Sequence, residues 1–268
     1  MKFDFPEGAT PIDDCSGLIP KWVQTLSDLN RVEAENISHA QSVYFRLPIP
    51  DPSVWFHSTE LKSIHRAMFS NVWEWAGKQR TSVTSIGIAR GFIGFQMAEL
   101  CREVASWSTS LPIELTFLER AARIHHRLVA IHPFENGNGR FSRLVSDRCL
   151  LAWHCPHPMW PEQLNRSGTP RKTYIEALKS ADNNDYEPLV HFMESLGAKE
   201  PGLGELLQNR FYQPHVAGDR GVAMVRAFLR RGADPKGVSS KGQSALQLAE
   251  KQSLYEIAEM LAGAGAKR

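Results

Sequence analysis

A chain of 268 residues with 42% hydrophobic side chains can bury a sizeable core, which excludes a disordered segment and suits one large domain with a small second one. With 31 Lys and Arg against 29 Asp and Glu the net charge is only +2, which excludes a global basic field for nucleic acid or membrane and makes any anion site local. Four cysteines (Cys15, Cys101, Cys149, Cys155) are too sparse for a disulfide framework, MKFDFPEGATPIDD carries no apolar signal core, and no stretch approaches a membrane span, so a soluble, cytoplasmic protein is expected.

In chain order, residues 20–43 place Trp22, Val23, Leu26, Leu29, Val32 and Ile37 at three- and four-residue steps, the period of an amphipathic helix. The prolines of LPIPDPS end it. A helix resumes over Thr59–Phe69 with Ser58 or Thr59 as its cap. AGKQRTSVTSIGIARGFIGF is rich in Gly, Ser, Thr and β-branched residues and reads as a hairpin or flap. Gln96–Ser108 and Leu115–Ile131 read as helices, and Phe141, Leu144, Val145 and Leu151 continue a helical stripe after a short break. Residues 170–196 read as two helices joined by the polar turn Asp182–Asp185. The composition shifts through 197–219, and 220–268 repeats a phrase, Ala227-Phe-Leu-Arg-Arg-Gly-Ala-Asp and then Glu259-Met-Leu-Ala-Gly-Ala-Gly-Ala. This tail resembles about one and a half ankyrin units, fewer than such units usually need to be stable alone, and is either a plain helical cap or a protein contact.

The break at HPFENGNGRFSR, residues 132–143, concentrates the chemistry. Gly137 and Gly139 flank Asn138 between two helices, so the turn can take positive φ and expose backbone N–H groups. Arg140 and Arg143 lie three residues apart at the start of the following helix, on one face and near its positive dipole end, an arrangement suited to a polyphosphate. The Walker pattern fails for want of Gly-Lys-Ser/Thr. The dinucleotide near-match Gly137-x-Gly139-x-x-Ser142 follows a helix instead of a strand. His132 beside this cradle can take a proton from an attacking hydroxyl near pH 7. Phe134 reads as the anchor of the loop in the core. His154, Cys155, His157 and Cys149 do not match a zinc spacing and read as ordinary packing.

The segment His132-Pro-Phe-Glu-Asn-Gly-Asn-Gly-Arg140-Phe-Ser-Arg143 resembles the signature of Fic-domain proteins, His-x-Phe-x-Asp/Glu-Gly-Asn-Gly-Arg-x-x-Arg. Ile64–Arg80, with its Asn-Val-Trp-Glu-Trp-Ala-Gly, is similar to the family's upstream phrase. Tyr174–Leu178 and Asp185–Val190 look like its closing helices, and within the family the chain looks closest to the mobile mystery protein B group. The resemblance covers about residues 20–196 and implies an all-α Fic-type core with a β-hairpin flap. It leaves an extension at 1–19, a linker at 197–219 and the ankyrin-like tail at 220–268.

The resemblance implies transfer of AMP from ATP, with Mg²⁺, to a hydroxyl side chain of a target protein. His132 matches the base, Phe134 the structural anchor, Gly137, Asn138 and Gly139 the anion hole, and Arg140 and Arg143 the phosphate-gripping arginines. The segment Ser82–Phe95 matches the flap that aligns the target by strand pairing. Asn136 departs from the pattern: the family's carboxylate there holds Mg²⁺, and an amide oxygen is a weaker ligand for a hard cation. Residues 20–43 match the family's inhibitory helix in part, with Glu35-Asn36 in place but Arg31 where Ser or Thr is usual. Glu35 is then expected to bridge Arg143, or else to be a solvated helix carboxylate. A catalytically weak scaffold that binds nucleotide or a partner, and a Fic enzyme that moves another phosphate-containing group, fit the same residues.

Overall fold

The computed structural model describes residues 17–46, 48–84, 86–107, 115–153, 155–161, 164 and 168–199, and beyond them 222, 225, 226, 229, 234–238 and 242–266. The chain divides into two compact units, Met1–Ala198 and Lys199–Arg268.

Helix α1 spans Leu26–Tyr44. It starts six residues later than the apolar period alone suggests, because the turn is set by a reciprocal cap. The Thr25 hydroxyl accepts the Asp28 N–H at 3.1 Å, and the Asp28 carboxylate accepts the Thr25 N–H at 3.1 Å. Such a cap is worth about 1 kcal/mol. The prolines then work as starters as well as breakers: Pro52 opens the short α2, Pro52–Trp55, behind an Asp51 cap. Helix α3, Ser58–Phe69, is capped by neither expected residue but by His57, whose Nδ1 accepts the Glu60 N–H at 3.2 Å.

Helices α4 (Ile93–Ser106), α5 (Phe117–Ile131) and α6 (Asn138–Ala152) follow. Among the described residues of 82–95 there is no strand, so the expected β-hairpin is absent there. The Ser82 and Ile88 carbonyls accept from the Arg80 side chain, and the Thr81 and Ser82 N–H groups donate to the Glu135 carboxylate, where a hairpin would use a facing strand. From Arg90 the segment already winds into a 3₁₀ turn that runs into α4. Helices α7 (Thr169–Asp182) and α8 (Glu187–Ser195) complete the first unit, joined by a turn in which Asn184 takes φ 64°.

Antiparallel α5 and α6 form the spine of this unit. Nearly every residue of α6 from Phe141 to Ala152 is buried, as expected of a helix covered on all sides. One core on its flank gathers Leu29 of α1, Ile64 and Phe69 of α3, Trp73, Phe134 and Phe141. On the other side Ala121, Leu150, Tyr174, Leu189 and Phe192 form a second core with α7 and α8. The loop between α5 and α6 is anchored in the first of these cores through Phe134.

In the second unit α9 spans Ala245–Lys251 behind a Ser244–Gln247 capping box, and α10 spans Tyr255–Gly263. The phrase Ala227–Asp234 lies outside the described residues except for Leu229 and Asp234, as does most of the expected linker at 197–219.

Candidate functional site

Helix α5 ends on His132, which adopts φ 53° and ψ 61° and sends its N–H to the Leu128 carbonyl at 3.1 Å. Left-handed backbone is uncommon for a side chain other than Gly, Asn or Asp. Pro133 explains it in part, since a proline disfavours right-handed helix in the residue before it and so stops α5 at the histidine. Phe134, 1% exposed, lies against the His65 ring at 3.7 Å and meets Phe141 edge-on at 5.0 Å. Removing a buried aromatic of this kind costs about 3–5 kcal/mol, so the loop is anchored where the sequence places its anchor.

Asn138 closes the loop from the other end. Its side-chain oxygen accepts the Phe134 N–H at 3.0 Å and its amide donates to the Phe134 carbonyl at 2.8 Å. The Asn138 side chain is therefore a staple of the loop, so any part in the expected anion hole falls to its backbone. Gly137 takes φ 77°, and a Cβ there would stand 2.5 Å from the Phe69 ring, so no other residue fits. Helix α6 then begins with no side-chain cap on its first N–H groups, which leaves Asn138, Gly139 and Arg140 with donors pointing along the positive end of the helix dipole.

A cleft of about 1210 Å³ opens above this turn, lined at its floor by His132, Asn136, Gly137, Gly139, Arg140 and Arg143. Its walls come from α1 and from the face of α7 that carries Arg171, Ile175 and Lys179. The structure thus brings together all the predicted site residues of 132–143 around one space, with Phe134 beneath it. Arg143 stands 5.8 Å from the Trp160 ring, whose indole N–H donates to both oxygens of buried Asp147 at 3.0 Å.

Burial, and after it the charge of Arg80, lowers the His132 pKa to about 4. The imidazole is neutral at pH 7 and able to accept a proton, and negative charge placed in the cleft would raise its basicity. His65, which no functional argument from sequence singled out, is held at about 3 by burial. Its Nδ1 accepts the Gly77 N–H at 3.0 Å, so its proton sits on Nε2 and is donated to the Asn136 carbonyl at 3.1 Å. The Asn136 side-chain oxygen accepts the Gly137 N–H at 2.6 Å. Among the described residues no group of three or more His, Cys, Asp or Glu could hold a metal ion.

The expected bridge from Glu35 to Arg143 is absent. Glu35 is exposed, and the α1 carboxylate that reaches Arg140 is that of Glu33. Glu33, 2% exposed, accepts from Arg140 at 2.6 Å through one oxygen and from the Trp73 indole N–H at 2.7 Å through the other. The reason is helical phase. Glu33 lies four residues after Leu29 on the buried stripe Leu29, Glu33, Asn36, Ala40, whereas two residues further on the helix has turned about 200° away. A carboxylate inside an otherwise apolar stripe was the signal that could have identified it.

The Fic/DOC family model matches residues 55–150. Protein adenylyltransferase fic-1 of Caenorhabditis briggsae is 30% identical over 122 residues, covering 44% of this chain and 22% of that protein. Protein adenylyltransferase Fic of Drosophila virilis is 40% identical over 73 residues, 27% of this chain and 14% of that protein. The chain thus matches less than a quarter of the length of these curated relatives. Among solved structures, Fic-1 from C. elegans superposes with a TM-score of 0.51 at 22% identity, over 69% of this chain and 52% of that one, which is a likeness of fold. The signature loop, its buried aromatic anchor and the helix that follows all lie inside the stretch that is similar to the Fic/DOC family model.

Proposed function

We propose that the protein is a protein adenylyltransferase, moving AMP from ATP to a hydroxyl side chain of a target protein. One observation carries this reading: a neutral, buried His132 stands beside an uncapped helix N-terminus and two arginines, on the floor of a cleft large enough for a nucleoside triphosphate. The relatives' names, protein adenylyltransferase, agree with it.

In this reading the triphosphate lies over Gly137–Arg140, where backbone N–H groups and the helix dipole meet its oxygens. Arg140 grips the outer phosphates and Arg143 a neighbouring oxygen. The target hydroxyl approaches past residues 82–95, and His132 takes its proton as the oxygen bonds to the α-phosphorus. The bond from that phosphorus to the bridging oxygen breaks, and pyrophosphate leaves with the electron pair. The residues present fit a protein-held Mg²⁺ poorly: Asn136 offers one neutral oxygen already bonded to Gly137. The ion would therefore be carried mainly by the nucleotide phosphates, where it offsets charge on their oxygens.

The domain-scale proposals remain a Fic-like domain at 20–196 and an ankyrin-like tail at 220–268 that contacts a protein partner, supported by the repeated Gly-Ala phrases. The cytoplasm is proposed as the location, supported by the absence of a disulfide among the described residues. Among them no helix is long and apolar enough to cross a membrane.

Mass spectrometry of the full chain incubated with ATP and magnesium tests the function. AMP adducts are expected on the protein itself or an added target, falling about 100-fold or more in His132→Ala, the usual weight of a general base. Equal labelling by His132→Ala would overturn the assignment. The amide at 136 favours a second reading, a scaffold that binds nucleotide, and that reading predicts ATP binding with no adduct.

A further inference from the structure

Two charged side chains tie the segment after Arg80 to the loop that carries His132. Arg80, 2% exposed, donates through Nε to the His132 carbonyl at 2.5 Å, through Nη1 to the Ser82 carbonyl at 3.0 Å and through Nη2 to the Ile88 carbonyl. Its own N–H reaches the Pro133 carbonyl at 2.9 Å. From the other side Glu135 accepts the Thr81 N–H at 2.9 Å, the Ser82 N–H at 3.4 Å and the Ser82 hydroxyl. Between these ties the backbone of Gly87, at φ 106°, passes so close to His132 that a Cβ would stand 2.4 Å from the histidine Cβ. Ile86, Gly87 and Ile88 line the cleft with His132, while Val83 at the outer side is 89% exposed.

A planar guanidinium with donors in a fixed fork can hold three carbonyls on two chain segments at set angles, which an ammonium cannot. The chemistry proposed above needs the acceptor hydroxyl within hydrogen-bond reach of the imidazole, and misplacement of about 1 Å costs on the order of 100-fold. We infer that Arg80 and Glu135 are positioning residues, a two-sided clamp that fixes the flap's distance from His132 and so sets where an acceptor hydroxyl meets the base. The inference rests on the transfer reading for the hydroxyl, and on the contacts alone for the clamp. It also accounts for Glu135 and Asn136 side by side: the carboxylate at 135 is engaged with the flap at Thr81 and Ser82.

The test compares Arg80→Gln, Arg80→Lys, Glu135→Gln and Gly87→Ala with the unaltered full chain, using self-labelling at saturating ATP, the Kd for ATP, and amide hydrogen exchange across 81–88. For the Arg80 and Glu135 variants the expected outcome is exchange in 81–88 faster by tenfold or more and self-labelling slower by tenfold or more. The Kd for ATP should stay within twofold, and Arg80→Lys should give no rescue. Gly87→Ala leaves both clamp residues in place and pushes the flap outward, so it should slow labelling in the same way. A merely structural role predicts instead that exchange rises through α5 and α6 and that ATP affinity falls together with labelling, which would overturn the proposal. Should Arg80→Gln fail to fold, Glu135→Gln and Gly87→Ala decide, and unchanged exchange over 81–88 in Glu135→Gln overturns the clamp. Absence of transfer by the unaltered protein overturns the transfer reading and the positioning role with it, while the exchange rates still report whether the clamp exists.

Discussion

His132 shows how much one residue's setting depends on its neighbours in sequence and in space. Pro133 restricts its backbone, and burial with Arg80 keeps its ring neutral at pH 7. Asn136 is the counterpart: the sequence marks it as the odd position in the motif, and the structure gives its oxygen a partner in Gly137. Asn136→Asp keeps that acceptor and adds a full charge beside the proposed phosphate site. The magnesium concentration for half-maximal labelling should fall about tenfold, since the ion gains a hard anionic ligand. An unchanged magnesium dependence would show that the ion takes no ligand from this position. At this scale the motif residues were legible because spacing alone defines a helix end, two glycines and an arginine pair. The double hydrogen bond of Asn138 was not, since it depends on where the Phe134 backbone is carried.

At the scale of elements, α1 matters for the site because it delivers Glu33. The pair with Arg140 is nearly dry, with the Glu33 side chain 3% exposed and that of Arg140 22% exposed, and it engages the arginine proposed to hold the outer phosphates. Glu33→Gln keeps the shape and the Trp73 bond but removes the charge, so Arg140 should become available to phosphate. Tighter ATP binding and several-fold faster self-labelling are expected, with a stability loss of about 3 kcal/mol for breaking a largely buried pair. Glu35→Gln should change neither, and titration calorimetry with ATP checks both. If Glu35→Gln released the activity and Glu33→Gln did not, the helical phase described here would be wrong. Helical periodicity predicted that α1 exists and that it is amphipathic. Which of two glutamates faces inward required the register of α1 against α3 and α6, and the notional hairpin at 82–95 failed for a similar reason. Gly- and Thr-rich composition signals a non-helical segment, but only the positions of Arg80 and Glu135 decide that side chains, and no partner strand, satisfy its backbone.

At the scale of the molecule, several buried ionisable groups make stability depend on pH. Burial lowers His65 and His125 to about 3 and His132 to about 4, so all three are neutral when folded, whereas in the unfolded chain they take up protons near 6.5. Their contribution is complete above pH 6.5 and is lost as pH falls from 6.5 toward about 3. Asp147 opposes them, because burial holds its carboxyl well above the usual range and it binds a proton earlier in the folded state. The three histidines outnumber this one opposing group, so unfolding takes up protons as pH falls below 6.5 and stability falls with it. Urea unfolding midpoints should therefore drop between pH 6.5 and 5, and a flat profile across that range would contradict the burial of these groups. The sequence by itself determined the helical class, the end of α5 at His132, and the turn of glycines and arginines after it, because these follow from spacing, φ preference and chain direction within a few residues. Only the tertiary structure decided which carboxylate meets Arg140, which side chain fixes the flap and what keeps His132 neutral. Those depend on helix phase, burial and contacts between segments tens of residues apart, which no local pattern encodes.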